Sequence, residues 1–227
     1  MSWLITFFRS SIGRKLIMSL TGIFLITFLI VHLIGNLQLL YNDGGEAFNT
    51  YAYFMTNNPL IKTISYGLYF FIVVHAIQGI LLAIYNRKAK GSKYAVNTHE
   101  NASWASKNMA LLGILVFAFL MLHMGDFWWK MKQNQLDMVT YASFDAPVKD
   151  LFTRVSIAFQ ELWIVVTYII GLLALMFHLL HGFDSAFQTL GIRHKKYTPL
   201  ISLVGKAYSF LVPIGFAIIP LYIYFGK

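Results

Sequence analysis

The chain contains no cysteine, which excludes disulfides, thiolate-held iron–sulfur clusters, a catalytic thiol and haem attached through thioethers. Charge is scarce too. Only 12% of the 227 residues are Asp, Glu, Lys or Arg, against about 25% in soluble domains, so the chain lacks the polar surface that water requires. Acidic residues number 9 against 18 basic ones. The resulting charge of +9 lies in short clusters between apolar runs. That distribution suits orientation in a membrane and not a continuous nucleic-acid-binding face.

What is present is apolar: 58% of residues are hydrophobic and the mean hydropathy is +0.63. Crossing roughly 30 Å of hydrocarbon takes about 20 residues. Five stretches approach or exceed that length, at residues 16–42, 63–86, 108–125, 162–183 and 207–226. The third is short, but Asp126 to Lys132 extend it into the headgroups, with Trp128 and Trp129 as interfacial anchors. The first is too long for a signal-peptide hydrophobic region, and no small-residue cleavage pattern follows it. The expected fold is all-α and integral to a membrane: one domain over residues 1–227, with five transmembrane helices near residues 14–42, 60–87, 105–131, 158–190 and 199–226.

The basic residues set a direction. Arg9, Arg14 and Lys15 precede the first span; Arg87, Lys88, Lys90, Lys93 and Lys107 lie between the second and third; Arg193, Lys195, Lys196 and Lys206 lie between the fourth and fifth. These are 12 of the 18 basic residues, all on one side. The other side has Lys62, Lys130, Lys132, Lys149, Arg154 and Lys227. The positive-inside rule therefore puts the N-terminus in the cytoplasm and the C-terminus outside. Residues 43–59, on the outer side, show turn residues around a helical-looking 46–56, and the loop at residues 133–155 has room for another short interfacial helix. No loop has room for a soluble catalytic domain.

Four of the seven histidines lie deep in spans, one on each of the first four: His32, His75, His123 and His178. At 1.5 Å per residue, His32 is about 26 Å above Lys15 and His123 about 24 Å above Lys107, while His75 is about 20 Å below Lys62 and His178 about 26 Å below Glu161. One pair, His32 and His123, thus shares the outer third of the membrane, and the other, His75 and His178, shares the inner half. Two neutral imidazoles facing each other across a bundle can ligate a haem iron from both sides, which leaves no open position and favours electron transfer over substrate chemistry. The competing reading is interhelical hydrogen bonding within a haem-free membrane protein.

A repeated spacing favours haem. The first and third spans have Gly ten residues before the histidine (Gly22, Gly113), and the second and fourth have Gly four residues after it (Gly79, Gly182). The i+4 position lies on the same helix face, where a missing side chain makes room for a porphyrin edge; small-residue helix packing is the alternative. His181 competes with His178 for one ligand role, but only His178 reproduces the His75/Gly79 spacing. His181, nearer the cytoplasmic edge, is then left to a haem propionate, a water or packing.

Ser19-Leu20-Thr21-Gly22 ahead of His32, Gly45-Glu46-Ala47-Phe48-Asn49, His75-Ala76 with Gly79, Gly113 with His123, and the stretch from Phe177-His178 through Gly182 to Leu190-Gly191-Ile192 together resemble one family. They are similar to the single-chain, five-helix, di-haem cytochrome b membrane anchors of succinate dehydrogenase and fumarate reductase. The resemblance runs along essentially the whole chain and favours His178 as the fourth ligand. It implies four helices around two b haems, the inner one on His75 and His178 and the outer one on His32 and His123. It implies as partners a flavoprotein subunit that handles the dicarboxylate and an iron–sulfur subunit that relays electrons, both held at the cytoplasmic face of a bacterial inner membrane. Dicarboxylate chemistry stays outside this chain. Ser19 matches a position that contacts an inner-haem propionate, with Arg14 and Lys15 as nearby charge partners.

The substrate implied is menaquinone or another quinone near the outer surface. Quinone reduction takes up protons, and Glu46, with Asn49 and Tyr53 on the same short helix, is the expected quinone-site group. A di-haem cytochrome b of another quinone-linked dehydrogenase or reductase is the alternative function.

Overall fold

The computed structural model describes residues 2–89 and 103–226. Lys90, Lys93 and His99 of the second-to-third loop, and the terminal Lys227, lie outside the described residues. The chain opens with α1 (Ser2–Arg9), a short helix absent from the sequence reading. Ser10 ends it by turning extended (ψ 159°). Its hydroxyl donates to the Phe7 carbonyl at 2.6 Å and accepts from Gly13 N–H at 3.0 Å, so one side chain closes α1 and caps α2.

Five helices among the described residues are long and apolar enough to span a membrane. They are α2 (Ser11–Leu37) with the 3-10 turn Gln38–Leu40, α4 (Pro59–Ala89), α6 (Met109–His123) with its continuation to Lys132, α9 (Leu162–Thr189) and α10 (Thr198–Phe225). A short α3 (Glu46–Asn57) links the first two. Gly44 and Gly45 precede it with φ of +68° and +88°, a turn that suits glycine. Asn58 caps α4 through its carbonyl oxygen, which accepts from Leu60 and Ile61 N–H.

The third span is interrupted twice. A single turn, α5 (Trp104–Lys107), breaks at Asn108 before α6 begins. Directly after His123 the helix widens into a π-helical segment, Met124–Trp129, and then tightens to α7 (Lys130–Lys132). The expected extension to Lys132 is present. Trp128 donates to the Tyr69 hydroxyl at 2.7 Å, and Trp129 is exposed at the boundary. Pro213 and Pro220 lie inside α10; membrane helices tolerate proline where neighbouring groups satisfy the freed carbonyls.

The loop at residues 133–155 holds more than the expected short helix. Asn134, with φ +55°, ends α7. An antiparallel hairpin of β1 (Met138–Tyr141) and β2 (Phe144–Lys149) follows, pairing Val139 with Val148 and Tyr141 with Phe144. Only then comes α8 (Leu151–Ala158). The strands are rich in β-branched and aromatic residues, and Pro147 is tolerated because a two-stranded ribbon has only edge strands.

Asn49 binds this cap together. It is 1% exposed. Its amide donates to the Tyr141 hydroxyl at 2.8 Å and to Asp150 at 3.0 Å, while its carbonyl accepts from Phe152 N–H at 2.9 Å. One side chain on α3 thus fixes both the hairpin and the start of α8. Asn49→Leu strands these partners and is expected to cost about 1–3 kcal/mol; the check is faster limited proteolysis within residues 138–149. Burial works against the Asp150 carboxylate, but hydrogen bonds from the Thr153 backbone and hydroxyl and from Asn49 outweigh it and hold its pKa below the usual value. Its contribution to the cap is therefore present above the ordinary carboxylate range and lost as pH falls through the lower folded value.

Helix α9 lies at the centre, packed on α2, α6 and α10. At the hairpin end, Leu39, Phe48, Phe127, Val155, Phe159, Val165, Tyr168 and Ile219 form one buried apolar cluster. It closes the bundle above the His32 level.

Candidate functional site

The spans alternate in direction, so residues far apart in sequence reach a common depth. His32 of α2 and His123 of α6 meet near the hairpin end, ring centroids 5.7 Å apart and planes at 88°. His75 of α4 and His178 of α9 meet toward the basic end, centroids 6.2 Å apart and planes at 67°. His181 is not part of either ring pair.

The glycine spacing has a direct physical reading. A Cβ on Gly22 would stand 3.4 Å from Cε1 of His75, and one on Gly113 would stand 3.7 Å from Cε1 of His178. Each glycine therefore clears the ring of the pair it does not belong to. Since Gly22 marks the level of His75 on α2, and His32 is ten residues on, the two pairs are about 15 Å apart along the axis. Helix α6 gives the same figure from Gly113 to His123. Helix α9 gives it again, because Tyr168, ten residues from His178, touches His123. Gly79 and Gly182 play a different part: a Cβ there would meet the Met18 methyl at 3.1 Å and the Met109 methyl at 3.6 Å.

Hydrogen bonds orient the rings. Thr21 Oγ1 lies 2.8 Å from the Ile17 carbonyl and 3.0 Å from His75 Nδ1; with its hydrogen donated to the carbonyl, Nδ1–H is the donor to the Thr21 oxygen. Nε2 of His75 then keeps its lone pair, as a metal ligand must. His123 Nδ1 lies 3.2 Å from the Tyr168 hydroxyl. Asn36 donates to the His32 carbonyl at 2.7 Å and lies 3.3 Å from its Nδ1. His178 differs: its Nδ1 is buried with no partner. Leu112 precedes Gly113 where Thr21 precedes Gly22, and both are buried, at 3% and 4% exposure. The α6 counterpart of the Thr21 hydroxyl is a hydrocarbon.

These features fit bis-histidine haem. An imidazole nitrogen lies about 2 Å from a bound first-row metal ion, so two rings on opposite sides of one ion have centroids about 6 Å apart. Both observed separations agree. Among the described residues no group of three or more His, Asp or Glu side chains gathers as for a bare metal ion, whereas a porphyrin needs only two axial ligands.

The remaining predicted residues are dispersed. Ser19 is buried and donates to the Lys15 carbonyl at 2.9 Å. Arg14 stacks over Tyr85 at 5.9 Å, and Lys15 is exposed. On α3, Glu46 accepts from Ser143, Asn49 is engaged as above, and the Tyr53 ring packs on Phe144 at 5.4 Å. The face carrying all three is thus covered by the hairpin. Near His123, Asp126 of the π segment pairs with both Lys130 and Arg154, which ties the third span to α8. Asp184 accepts from Ser202 at 3.1 Å between α9 and α10. The fifth span reaches the upper pair: Phe216 lies 5.5 Å from His32, and the Tyr208 hydroxyl donates to the Ile26 carbonyl at 2.6 Å.

Sequence reasoning singled out neither Tyr168 nor Phe216, and read Thr21 only as part of a motif. A hydroxyl next to a small residue inside a span was the available signal for Thr21; Tyr168 shares the ten-residue spacing.

Comparison with known proteins bears on the family. The chain is 27% identical over 195 residues to the succinate dehydrogenase cytochrome b558 subunit of Bacillus subtilis (strain 168), covering 82% of this chain and 85% of that protein. No protein-family model and no solved structure matches it.

Proposed function

We propose that this chain, a member of the cytochrome b membrane-anchor family of succinate dehydrogenases, holds two b-type haems and carries electrons between an iron–sulfur subunit and quinone. The observation that carries the reading is the pair of facing histidine rings at each of two depths, at the separation two axial ligands need. When bound, each haem would supply a one-electron relay.

The chain's own residues do the rest. His75 and His178 hold one group toward the basic end, with Thr21 fixing the His75 ring. His32 and His123 hold the other, with Tyr168 at the His123 ring. Apolar walls from α2, α9 and α10, including Phe28 stacked on His32 at 5.1 Å, exclude water. The basic end faces the cytoplasm of a bacterial inner membrane and docks the iron–sulfur and flavoprotein subunits. His181, Arg14 and Lys15 stand near that end to meet propionate charge, and Ser19 lies beside them. The quinone, a menaquinone in this reading, exchanges electrons at the hairpin end. Glu46 is the proton-exchanging group there, flanked by Asn49 and Tyr53.

Copurification tests the assembly: the chain is expected to bring down a flavin-bearing subunit and an iron–sulfur subunit, and isolation of a haem-loaded chain from its host membrane with neither would contradict it. The glycines give a sharper test. Gly22→Leu drives a side chain into the His75 ring and is expected to abolish the haem at the basic end while sparing the other, read as the haem-to-protein ratio. Gly22→Ala, at 3.4 Å from that ring, is expected to keep both.

A further inference from the structure

We propose that a cavity at the hairpin end is a binding site for a phosphate group, supplied by an anionic phospholipid headgroup. The cavity measures about 280 Å³, and its lining includes Lys62, Lys132, Lys149, Tyr53, Thr56 and Asn57. Three lysines and no Asp or Glu line it.

The charges there are uncompensated. Among the described residues the only carboxylate in an ion pair is Asp126, and it serves Lys130 and Arg154. Lys149 is held by neutral acceptors, the Met131 carbonyl and the Asn134 side chain, both at 2.7 Å. Those bonds fix its ammonium without cancelling its charge. Lys62 and Lys132 are exposed, with no ion pair. All three lysines lie on the side that is poorer in basic residues, where the positive-inside rule gives no reason to concentrate them. The basic residues of that side, Lys227 apart, thus fall into two groups: two on Asp126 and three on this cavity.

Depth selects the source of the phosphate. Lys62 is in the first turn of α4 and Lys132 is the last residue of the third span, so both ammonium groups stand at headgroup level. One turn below Lys62 on the same face, Tyr66 is exposed, and Trp129 is exposed one turn below Lys132. An acyl chain hanging from a phosphate in the cavity lies along such surface, which a free phosphate ion leaves unused. Basic pockets between membrane helices take lipid headgroups in this way, and lysine serves as a point charge for phosphate. A neutral quinone ring gains nothing from three lysines; Tyr53 borders both this cavity and the proposed quinone position, whereas Glu46 and Asn49 are not in the cavity's lining.

The test is lipid retention by the purified haem-loaded protein, followed by native mass spectrometry during titration with phosphatidylglycerol, phosphatidylcholine or inorganic phosphate. One phosphatidylglycerol is expected to be held at least tenfold more tightly than phosphatidylcholine. Lys62→Gln with Lys132→Gln is expected to abolish that preference, and adding Lys149→Gln to change little further. Lys130→Gln, which removes the same type of charge from the Asp126 pair, is expected to leave it intact. Equal retention by the double variant, equal loss in Lys130→Gln, displacement by a short-chain quinone, or inorganic phosphate binding as tightly as phosphatidylglycerol would each overturn the proposal. Haem content, read on the same samples, reports separately on the electron-transfer reading.

Discussion

His178→Ala is expected to leave one b-type haem per chain where the unaltered protein holds two, and His32→Ala is expected to leave the other one. In the proposed arrangement two histidines from two different helices would hold each haem, so deleting either removes one of its two protein ligands. The two variants differ in which haem survives, and the surviving redox components are therefore complementary. His181→Ala supplies the control. It lies one turn from His178 but outside the ring pair, and its proposed contact with propionate charge is no bond to iron, so both haems are expected to persist. If the histidines served helix packing alone, all three substitutions would lower stability without separating into two haem-deficient forms and one haem-replete form. The measurement is the pyridine haemochrome ratio to protein for each variant.

The second large effect concerns potential and not occupancy. The Thr21 oxygen lies 3.0 Å from His75 Nδ1, and a hydrogen bond donated by that nitrogen would leave more negative charge on the ring and make it a better donor to ferric iron. That would favour the oxidised form and lower the midpoint. Thr21→Val removes the bond. A hydrogen bond of about 0.5–1.5 kcal/mol corresponds to roughly 20–65 mV for one electron, and the shift is upward. Leu112→Thr is the opposite experiment: it offers a hydroxyl to the unpartnered His178 Nδ1 and lowers the same midpoint by a similar amount. Thr21→Ser, which keeps the hydroxyl, restores the original value. Redox titration followed at the haem α-band reads all three. Midpoints unmoved in both Thr21→Val and Leu112→Thr would remove the tuning role while leaving the ligand assignment standing.

The histidine pairs were legible in the sequence because a membrane helix has a fixed rise and successive spans alternate in direction. Depth could be counted from Lys15, Lys62, Lys107 and Glu161, and counting sufficed to match His32 with His123 and His75 with His178. The ten-residue glycine spacing was visible as well. Its cause was not, since Gly22 and Gly113 answer to rings on other helices, and a contact across helices leaves no trace in local periodicity. Gly79 and Gly182, read as space for a porphyrin edge, have the Met18 and Met109 methyls as their nearest neighbours.

Outside the spans the sequence was less informative. The strands at residues 138–149 are short, and Pro147 argues against a strand, so a loop with an interfacial helix was the simpler expectation. The helix at residues 2–9 was not part of the sequence reading; the turn at Ser10 that separates it from the first span depends on one hydroxyl serving two backbone groups. The π-helical segment after His123 has no marker in composition, and only the cross-helix pairing of Asp126 with Arg154 shows what it positions. Glu46, Asn49 and Tyr53 were read as sharing one short helix, as they do, but their hairpin partners lie 91 or more residues away.

The most direct test of the account is a dithionite-reduced-minus-oxidised spectrum of the purified chain, paired with a haem-to-protein ratio. B-type bands and two haems per chain are expected. A chain that folds into membranes and carries no haem would contradict it.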